Sequence, residues 1–426
     1  MPSRKPRSKT DVFAIFSVFL LATTLVQPAH AKPRFKVLHT FHGKDGAIPY
    51  GLLARDSAGN LYGTTSGGGD GKGLCASYFL GCGIAFKLNK IGQLLWSHSF
   101  NLRSGVEPLA GMTRDSAGNL YGTTVLGGDT TCYQYGCGTV FELDTAGKER
   151  VLHEFNGSDG MFPEPLLARD AAGNLYGTTP YGPLGNIFKI DTKGELAVLY
   201  TFTGYADGCY PGTGVILDTA GNLYGTAAGG GSGFCDYGAG VVYELDTAGN
   251  LTVLHTFGGS DGAQPDSVLR FDKAGNLYGT TYSGGNSNVC QGGCGTVFKL
   301  TPNSDGTWME SVLHSFCSAG ECADGWYPGR GPLTINATGN LYGTTLLGGA
   351  SACGGGYGCG VVYELDPSGQ ETVLYSFTGG KDGGYPPPGV AMDKAGNLYG
   401  VAARFADTRC KDGDGQGCGV VFKLTP

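Results

Sequence analysis

Short apolar segments, each five or six residues long, alternate with polar, glycine-rich stretches along the whole chain. The best preserved segment, AGNLYGTT or a near-copy of it, occurs seven times, beginning at residues 58, 117, 172, 220, 274, 338 and 395. Each copy contains β-branched or aromatic residues and is bounded by Gly, Asp or Pro, which is typical of short β-strands. The spacing of about 56 residues fits one structural unit per repeat.

Three further segments return in every unit. One resembles VLHTF and lies at 37–41, 96–100, 151–155, 198–202, 253–257, 312–316 and 373–377. Another resembles GTVFKL and lies at 83–88, 138–143, 185–190, 240–245, 295–300, 360–365 and 419–424. The third is an apolar stretch that usually ends in Asp, as in GLLARD at 51–56. Each repeat therefore supplies four predicted strands.

The joins between these segments predict an all-β fold with antiparallel strands. The sequence D-x-A-G-N leads into LYGTT, and a similar D-T-A-G links GTVFKL to VLHTF. Asp stabilises such turns and Gly takes the left-handed position, so the joined strands run antiparallel. Seven units of four antiparallel strands predict a seven-bladed β-propeller over residues 32–426, with a solenoid as the alternative. Segment 37–41 would complete the C-terminal blade and close the ring.

The first 31 residues have the features of a secretory signal peptide. A basic start is followed by an apolar run at 12–26 and by AHA at 29–31, which predicts cleavage near Ala31. The full chain has 29 Lys+Arg and 36 Asp+Glu, and this segment contains four of the basic residues and one acidic residue, Asp11. The mature chain therefore has 25 basic and 35 acidic residues, a net charge of −10. The mature chain lacks a basic cluster, so nucleic acid is not an expected partner. We expect a secreted monomer, extracellular or periplasmic, that is not inserted in a membrane.

The motifs AGNLYGTT, a Gly- and Cys-rich insert, GTVFKL and VLHTF recur in a fixed order. This combination resembles the GloVer (Gloeo_Verruco) tandem-repeat family of bacterial secreted β-propeller proteins. The resemblance covers residues 33–426 and implies an exported propeller. It implies no defined reaction and brings no catalytic residue to this chain.

The mature chain contains fourteen cysteines, and an oxidising compartment favours disulfide bonds between them. Twelve lie in close pairs: Cys75/Cys82, Cys132/Cys137, Cys290/Cys294, Cys317/Cys322, Cys353/Cys359 and Cys410/Cys418. Cys209 and Cys235 remain in the fourth repeat and are paired by elimination, which leaves their connectivity open. No pair has the C-x2-C spacing of many zinc sites, so we predict no metal site and no cofactor.

Alternate connections of a propeller emerge on opposite faces, and long loops on a rigid frame commonly carry binding residues. The Cys-rich inserts and the G-x-DG-x-x-P loops share one face, where aromatic residues concentrate. Those on the loops are Tyr50, Phe162, Tyr210, Trp326, Tyr327 and Tyr385; those on the inserts are Tyr78, Phe79, Tyr133, Tyr135, Phe234, Tyr237 and Tyr357. They are candidates for binding a carbohydrate or a protein. The alternative is that the rings cover the backbone of their own loops.

Four charged residues near the starts of the inner strands are a second set of candidates: Glu107, Glu164, Asp266 and Arg330. Paired carboxylates act on glycans in many hydrolases, so a polysaccharide lyase or hydrolase at the mouth of the central channel is an alternative function. A structural envelope or matrix protein is a third. No spacing joins these residues to a nucleophile or base, and we predict no catalytic residue. The sequence favours a binding module over an enzyme and does not identify the ligand.

Histidine and aspartate each return at a fixed place in the repeat. His39, His98, His153, His255 and His314 share one position of the outer strand, which holds Tyr200 and Tyr375 in the other two repeats. Exchange with Tyr favours a structural role between blades. The Asp residues of the loops are Asp45, Asp159, Asp207, Asp261, Asp324 and Asp382. Calcium requires six to eight oxygen ligands around one point, so a turn role is expected for them instead.

Overall fold

A computed structural model describes Met1 and residues 32–71, 75, 80–163, 166–318, 321–350, 353, 356–387, 389–407, 410 and 417–426, without the side chain of Tyr237. Residues 2–31 of the predicted signal peptide, the candidate Glu164, and the aromatic residues Tyr78 and Phe79 lie outside the described residues. The signal peptide therefore stays a prediction. The described propeller occupies Pro33–Pro426.

The structure is a seven-bladed β-propeller, as predicted. Four blades are sheets of four antiparallel strands each. In blade 2 these are β7 (Thr113–Arg114), β8 (Leu120–Thr124), β9 (Thr139–Leu143) and β10 (Glu149–Glu154). In blade 3 they are β11 (Ala168–Arg169), β12 (Leu175–Thr179), β13 (Asn186–Ile190) and β14 (Leu196–Thr201). In blade 4 they are β15 (Val215–Leu217), β16 (Leu223–Ala227), β17 (Val241–Leu245) and β18 (Leu251–Thr256). In blade 7 they are β29 (Ala391–Met392), β30 (Leu398–Ala402), β31 (Val420–Thr425) and β1 (Arg34–Thr40).

In the other three blades the innermost strand is interrupted, and both of its parts pair with the same neighbour. Blade 1 contains β2 (Ala47–Pro49), β3 (Ala54–Arg55), β4 (Leu61–Gly67), β5 (Ile84–Leu88) and β6 (Leu94–Ser99). Blade 5 contains β19 (Ala263–Pro265), β20 (Arg270–Phe271), β21 (Leu277–Ser283), β22 (Thr296–Pro302) and β23 (Trp308–Ser315). Blade 6 contains β24 (Trp326–Pro328), β25 (Thr334–Ile335), β26 (Leu341–Leu347), β27 (Val361–Leu365) and β28 (Glu371–Ser376). A short 3₁₀ helix spans Cys235–Tyr237, and no described helix has the length and apolar character to cross a membrane.

The N-terminal strand closes the ring. β1 lies antiparallel to β31, the last strand of the chain, with Phe35 opposite Leu424 and His39 opposite Val421. The blade therefore takes its outer strand from one end of the propeller and its inner strands from the other. The prediction that segment 37–41 completes the C-terminal blade is confirmed, and β1 covers the sheet edge that β31 would otherwise leave unpaired.

The AGNLYGTT motif combines a turn with a hydrogen-bonded strand start. In blade 1 the Asp56 carboxylate accepts hydrogen bonds from the backbone N–H of Asn60 at 2.8 Å, the Asn60 side-chain amide at 2.7 Å and the Tyr62 hydroxyl at 3.0 Å. Gly59 takes φ of 88°, which a side chain would disfavour. The glycine that follows Tyr62 has a packing role, because a Cβ on Gly63 would lie 2.6 Å from the Phe86 ring. These contacts explain why the motif recurs nearly unchanged.

Aromatic rings join each blade to the next. The ring that ends an outer strand packs against the ring in the third strand of the following blade, with centroids 4.9–5.4 Å apart. The seven pairs are Phe41/Phe86, Phe100/Phe141, Phe155/Phe188, Phe202/Tyr243, Phe257/Phe298, Phe316/Tyr363 and Phe377/Phe422. Edge-on contacts of this kind add to the free energy of burying the rings. The core is therefore a ring of inter-blade contacts.

The recurring His or Tyr and the recurring Asp bond to each other. Six pairs form: His39/Asp45 at 3.1 Å, His153/Asp159 at 2.8 Å, Tyr200/Asp207 at 3.0 Å, His255/Asp261 at 2.9 Å, His314/Asp324 at 3.2 Å and Tyr375/Asp382 at 3.0 Å. Each pair ties an outer strand to the loop that enters the next blade. His98 instead contacts Glu149 on the outer strand of the next blade, at 3.0 Å.

Candidate functional site on the loop face

We use the term loop face for the side of the propeller that carries the Cys-rich inserts and the loops between blades. The tight Asp-x-Ala-Gly-Asn turns lie at the other side, because neighbouring strands of a blade run antiparallel. On the loop face, insert and loop residues touch directly, as in the contact between Tyr133 and Phe162, whose ring centroids are 5.6 Å apart. The sequence prediction placed both kinds of segment on this face.

Every blade begins on the loop face with a residue of positive φ followed by proline. The seven residues, with φ of 54–57°, are Ile48, Glu107, Phe162, Tyr210, Gln264, Tyr327 and Tyr385. The backbone N–H of Tyr327 donates to the carbonyl oxygen of Cys294 in the preceding blade at 3.0 Å, and its counterparts also donate to the preceding blade. A left-handed conformation costs about 1–2 kcal/mol for such residues, so these inter-blade contacts hold it in place. The backbone conformation is therefore the same in all seven blades, whereas the side chain at this position differs in size and polarity from blade to blade.

Five sequence candidates occupy these positions: Glu107, Phe162, Tyr210, Tyr327 and Tyr385. The common geometry was not predicted, although the repeated X-Pro dipeptide at this point of every repeat marks it in the sequence. Each of these side chains is partly buried. Burial raises the pKa of the Glu107 carboxyl.

The channel mouth lies next to these positions. A small cavity of about 60 Å³ is lined by residues of all seven blades: Tyr50, Leu52, Leu109, Ala110, Gly111, Leu166, Gly212, Thr213, Val268, Arg330, Gly331, Pro332 and Pro387. Binding pockets for small molecules usually measure about 300–1,000 Å³, so this cavity is smaller than a typical ligand site.

Asp266 and Arg330 form an ion pair at the channel mouth. The Arg330 Nε lies 2.7 Å from an Asp266 carboxylate oxygen, and the Asp266 side chain is 13% exposed. Burial raises the pKa of Asp266, while the Arg330 guanidinium acts in the opposite direction. The two candidates are thus brought together, and each neutralises the other.

Four nearly parallel aromatic rings run across the boundary of blades 5 and 6. Tyr282 stacks on Tyr327 with centroids 4.2 Å apart and planes 9° apart. Trp326 lies 5.2 Å from Tyr327 at 14°, and Tyr357 lies 5.6 Å from Trp326 at 27°. Burial and then the neighbouring Tyr327 raise the pKa of Tyr282, which also lies near Arg330 and Asp266. The stack therefore extends from the channel mouth towards the inserts.

A groove lies beside the outer end of this stack. Its volume is about 410 Å³, and its lining is Val289, Glu321, Cys322, Trp326, Gly348, Gly349, Ala350, Gly356, Tyr357 and Gly358. Tyr357 is 60% exposed and Val289 is 54% exposed. Glu321 and Cys322 adopt positive φ of 56° and 48°, a strain that is typical of functional loops. The backbone N–H groups of three glycines in its walls, Gly348, Gly349 and Gly356, donate to the carbonyl oxygens of Tyr357, Cys322 and Cys353, so the backbone of the groove is held by internal hydrogen bonds.

The other aromatic candidates pack differently. Phe162 contacts Tyr133 and Tyr181 at interplanar angles of 82° and 73°, and Tyr181 contacts Tyr210 at 54°. Tyr385 meets Phe405 at 65°. Rings that meet at these angles cover one another's faces and edges, which fits the alternative that they protect their own loops.

All fourteen cysteines form disulfide bonds, and the pairing is the one predicted from the sequence. The bonds are Cys75–Cys82, Cys132–Cys137, Cys209–Cys235, Cys290–Cys294, Cys317–Cys322, Cys353–Cys359 and Cys410–Cys418. Seven disulfide bonds are typical of a protein that folds outside the cytoplasm.

The second cysteine of an insert is buried at the point where the insert enters the third strand. Cys82, Cys359 and Cys418 are fully buried, at 1%, 0% and 0% exposure, because each lies two residues before a buried third strand. Their carbonyl oxygens accept hydrogen bonds from the backbone N–H of the positive-φ residue in the next blade. Glu107 donates to Cys82 at 3.2 Å, Tyr385 to Cys359 at 2.9 Å and Ile48 to Cys418 at 3.1 Å. These cysteines therefore join the inserts to the buried strands and, through the backbone, to the next blade.

Two disulfide bonds lie side by side near the groove. The sulfur atoms of Cys290, Cys294, Cys317 and Cys322 all lie within 4.8 Å of one another, and all four residues are buried. Cys290–Cys294 belongs to an insert of blade 5, and Cys317–Cys322 belongs to the loop that enters blade 6. These adjacent bonds anchor one wall of the groove.

Comparison with known proteins gives a family and a fold. A model of the Gloeobacter/Verrucomicrobia repeat matches residues 23–233, 75–291 and 290–426. No curated protein sequence matches the chain. Two similar solved structures are the extracellular domains of BT3049 and BT4673, which are described as putative hybrid two-component systems of B. thetaiotaomicron. Each is 13% identical to this chain, covers 93% of it and has a TM-score of 0.53. This chain spans 41% and 42% of their lengths. A gluconolactonase of Xanthomonas campestris is 16% identical over 67% of this chain and 78% of its own, with a TM-score of 0.40.

Proposed function

The chain belongs to the Gloeobacter/Verrucomicrobia repeat family, and we propose that it is an exported carbohydrate-binding module whose site is the groove between blades 5 and 6. The observation that carries this proposal is the 60% exposed ring of Tyr357, which stacks on Trp326 at the edge of that groove. Aromatic rings provide rigid apolar surfaces for the C–H faces of sugar rings, at a small cost in conformational entropy.

The chemistry of the groove supports a neutral sugar. Its volume of about 410 Å³ lies within the usual range of about 300–1,000 Å³ for ligand sites. The Glu321 carboxylate accepts hydrogen bonds from hydroxyl groups and repels acidic sugars. The predicted net charge of −10 for the mature chain also disfavours an anionic ligand. The predicted signal peptide and the disulfide bonds support a location outside the cytoplasm.

An enzyme at the channel mouth has less support. The described cavity there measures about 60 Å³, and Asp266 is already paired with Arg330. Of the two remaining carboxylates of that proposal, Glu107 is partly buried and Glu164 lies outside the described residues. Incubating the wild type and Glu164→Gln with each bound polysaccharide tests this alternative, because cleavage by the wild type alone would favour the enzyme.

A glycan array followed by calorimetry tests the binding proposal. We expect Trp326→Ala and Tyr357→Ala each to weaken binding of the selected glycan by at least about tenfold, equal to 1.4 kcal/mol. Tyr133→Ala is the matched control, because Tyr133 is a 45% exposed ring of another insert. Absence of binding to any glycan, or equal binding by Trp326→Ala, Tyr357→Ala and the wild type, would contradict the proposal.

A further inference from the structure

Three polar side chains meet between the outer strands of blades 4 and 5. His255 lies on β18, Asp261 lies in the loop that leaves this strand, and Glu310 lies on β23. One ligand atom from each, a ring nitrogen and two carboxylate oxygens, can be chosen so that all three lie within 4.8 Å of one another. Asp261 is already oriented, since one of its oxygens accepts from His255 at 2.9 Å and the other from the Gly258 N–H at 2.8 Å.

Glu310 carries a carboxylate oxygen without a partner. It lies six residues before the phenylalanine that ends the outer strand, a position that holds leucine at 94, 196 and 251 and glutamate at 149 and 371. Its Oε1 atom is buried and has no hydrogen-bond partner among the described residues. A buried carboxylate oxygen without a partner is costly, and a bound cation would remove that cost.

The donor set favours a transition metal. Imidazole nitrogen suits zinc and its neighbours, and carboxylate oxygen completes such sites, whereas calcium requires six to eight oxygen ligands. Zinc binds at about 2.0–2.2 Å, so a tetrahedral ion brings its ligand atoms to roughly 3.4 Å from one another. His255 and Asp261, at 2.9 Å, are already closer than this, so a bound ion replaces their hydrogen bond while Glu310 moves towards it from within 4.8 Å, with water as the fourth ligand. We propose that His255, Asp261 and Glu310 form a binding site for a divalent transition-metal cation, with Zn²⁺ as its probe, that links blade 4 to blade 5.

The chain provides its own conservative variants for a test. Glu310→Leu installs the residue found at 196 and 251, and His255→Tyr installs the residue found at 200 and 375. Two controls address related clusters. Asp159→Asn alters the His153/Asp159 pair, which faces a leucine position, and Glu371→Leu alters the neighbouring set of His314, Asp324 and Glu371.

The experiment is zinc titration of the oxidised protein by calorimetry, with thermal unfolding of each variant to show that it folds. We expect Glu310→Leu and His255→Tyr each to weaken binding at least tenfold and to abolish the zinc-dependent rise in Tm, while both controls behave as the wild type. Cobalt substitution gives an independent reading, because a four-coordinate site absorbs in the visible range and Glu310→Leu should lose this band. Wild-type affinity in Glu310→Leu, or no binding by the wild type, would overturn the proposal.

Discussion

Phe35 stacks on Tyr375 with ring centroids 4.0 Å apart and planes 9° apart. The two residues are far apart in the sequence but lie on adjacent blades, on β1 of blade 7 and β28 of blade 6. Phe35 also contacts Phe422 at 5.3 Å, so one side chain of the N-terminal strand bridges two blades at the point of closure. Ring closure therefore depends on side-chain packing as well as on strand pairing.

We expect Phe35→Ala to lower the free energy of unfolding by about 2–3 kcal/mol, because it removes a partly buried aromatic ring. Leu94→Ala is the control at the equivalent position of blade 1, where Leu94 is 36% exposed, and it should cost less than about 1 kcal/mol. Denaturant unfolding measures both values. Equal stabilities of the two variants would show that the Phe35 contacts do not secure the closure.

A second prediction concerns two glycines with similar backbone angles and different surroundings. Gly295 has φ of +95°, and an added Cβ would lie 2.5 Å from the Thr281 carbonyl oxygen and 2.6 Å from Cδ of Pro328. Gly249 has φ of +89° and has no atom within 4 Å of that place. Gly249→Ala should cost about 1 kcal/mol for the left-handed conformation alone, and Gly295→Ala at least about 3 kcal/mol because the blades must also separate. Equal losses in thermal unfolding would contradict close packing at the blade boundary.

The architecture could be predicted because its determinants are local and repeated. Asp56, Gly59 and Asn60 form a turn within five residues, and seven copies of that turn fix the strand order. Closure of the ring could be predicted because the last repeat lacks an outer strand of the VLHTF type, and the unpaired segment at 37–41 is of that type. These features need no knowledge of contacts between distant residues.

The candidate site was only partly predictable, because its groups meet across blades. Trp326 and Tyr327 were identified as aromatic loop residues, but their partner Tyr282 is separated from Tyr327 by 45 positions and was not. The bond between His255 and Asp261 was also not predicted, although the interval of six residues recurs at His39/Asp45 and His153/Asp159. That shared interval was the available signal.

The disulfide bonds should differ in their effect on stability. Cys209–Cys235 spans 26 residues, whereas Cys132–Cys137 spans five. A longer loop loses more entropy when it is closed in the unfolded chain, so removing the first bond should cost about 3–4 kcal/mol and removing the second about 2 kcal/mol. Paired Cys→Ala variants and denaturant unfolding measure the difference. A larger loss at Cys132–Cys137 would show that strain or local packing outweighs the entropy of the unfolded chain.

Two buried carboxyl groups should make the metal-free protein less stable as the pH rises towards neutrality. Burial, and then the charge of Asp261, raise the pKa of Glu310 to about 7. Burial also raises the pKa of Glu371 to about 7, although the nearby His314 acts to lower it. Their ordinary value is 4.5, so between about pH 4.5 and 7 the folded state binds protons that the unfolded state has released. Stability contributed by these protons is present below that window and is lost as the pH rises through it.

The double variant Glu310→Leu/Glu371→Leu isolates this effect, because leucine does not titrate. Asp45 and Asp159 have lowered pKa values and act in the opposite direction below about pH 4, outside the window. With EDTA present, we expect the Tm of the wild type to fall relative to that of the double variant from pH 5 to 7.5. The variant should also be the more stable protein at pH 7.5, since it no longer buries two charged carboxylates. A constant difference in Tm across this range would show that the two groups do not titrate differently in the folded and unfolded states.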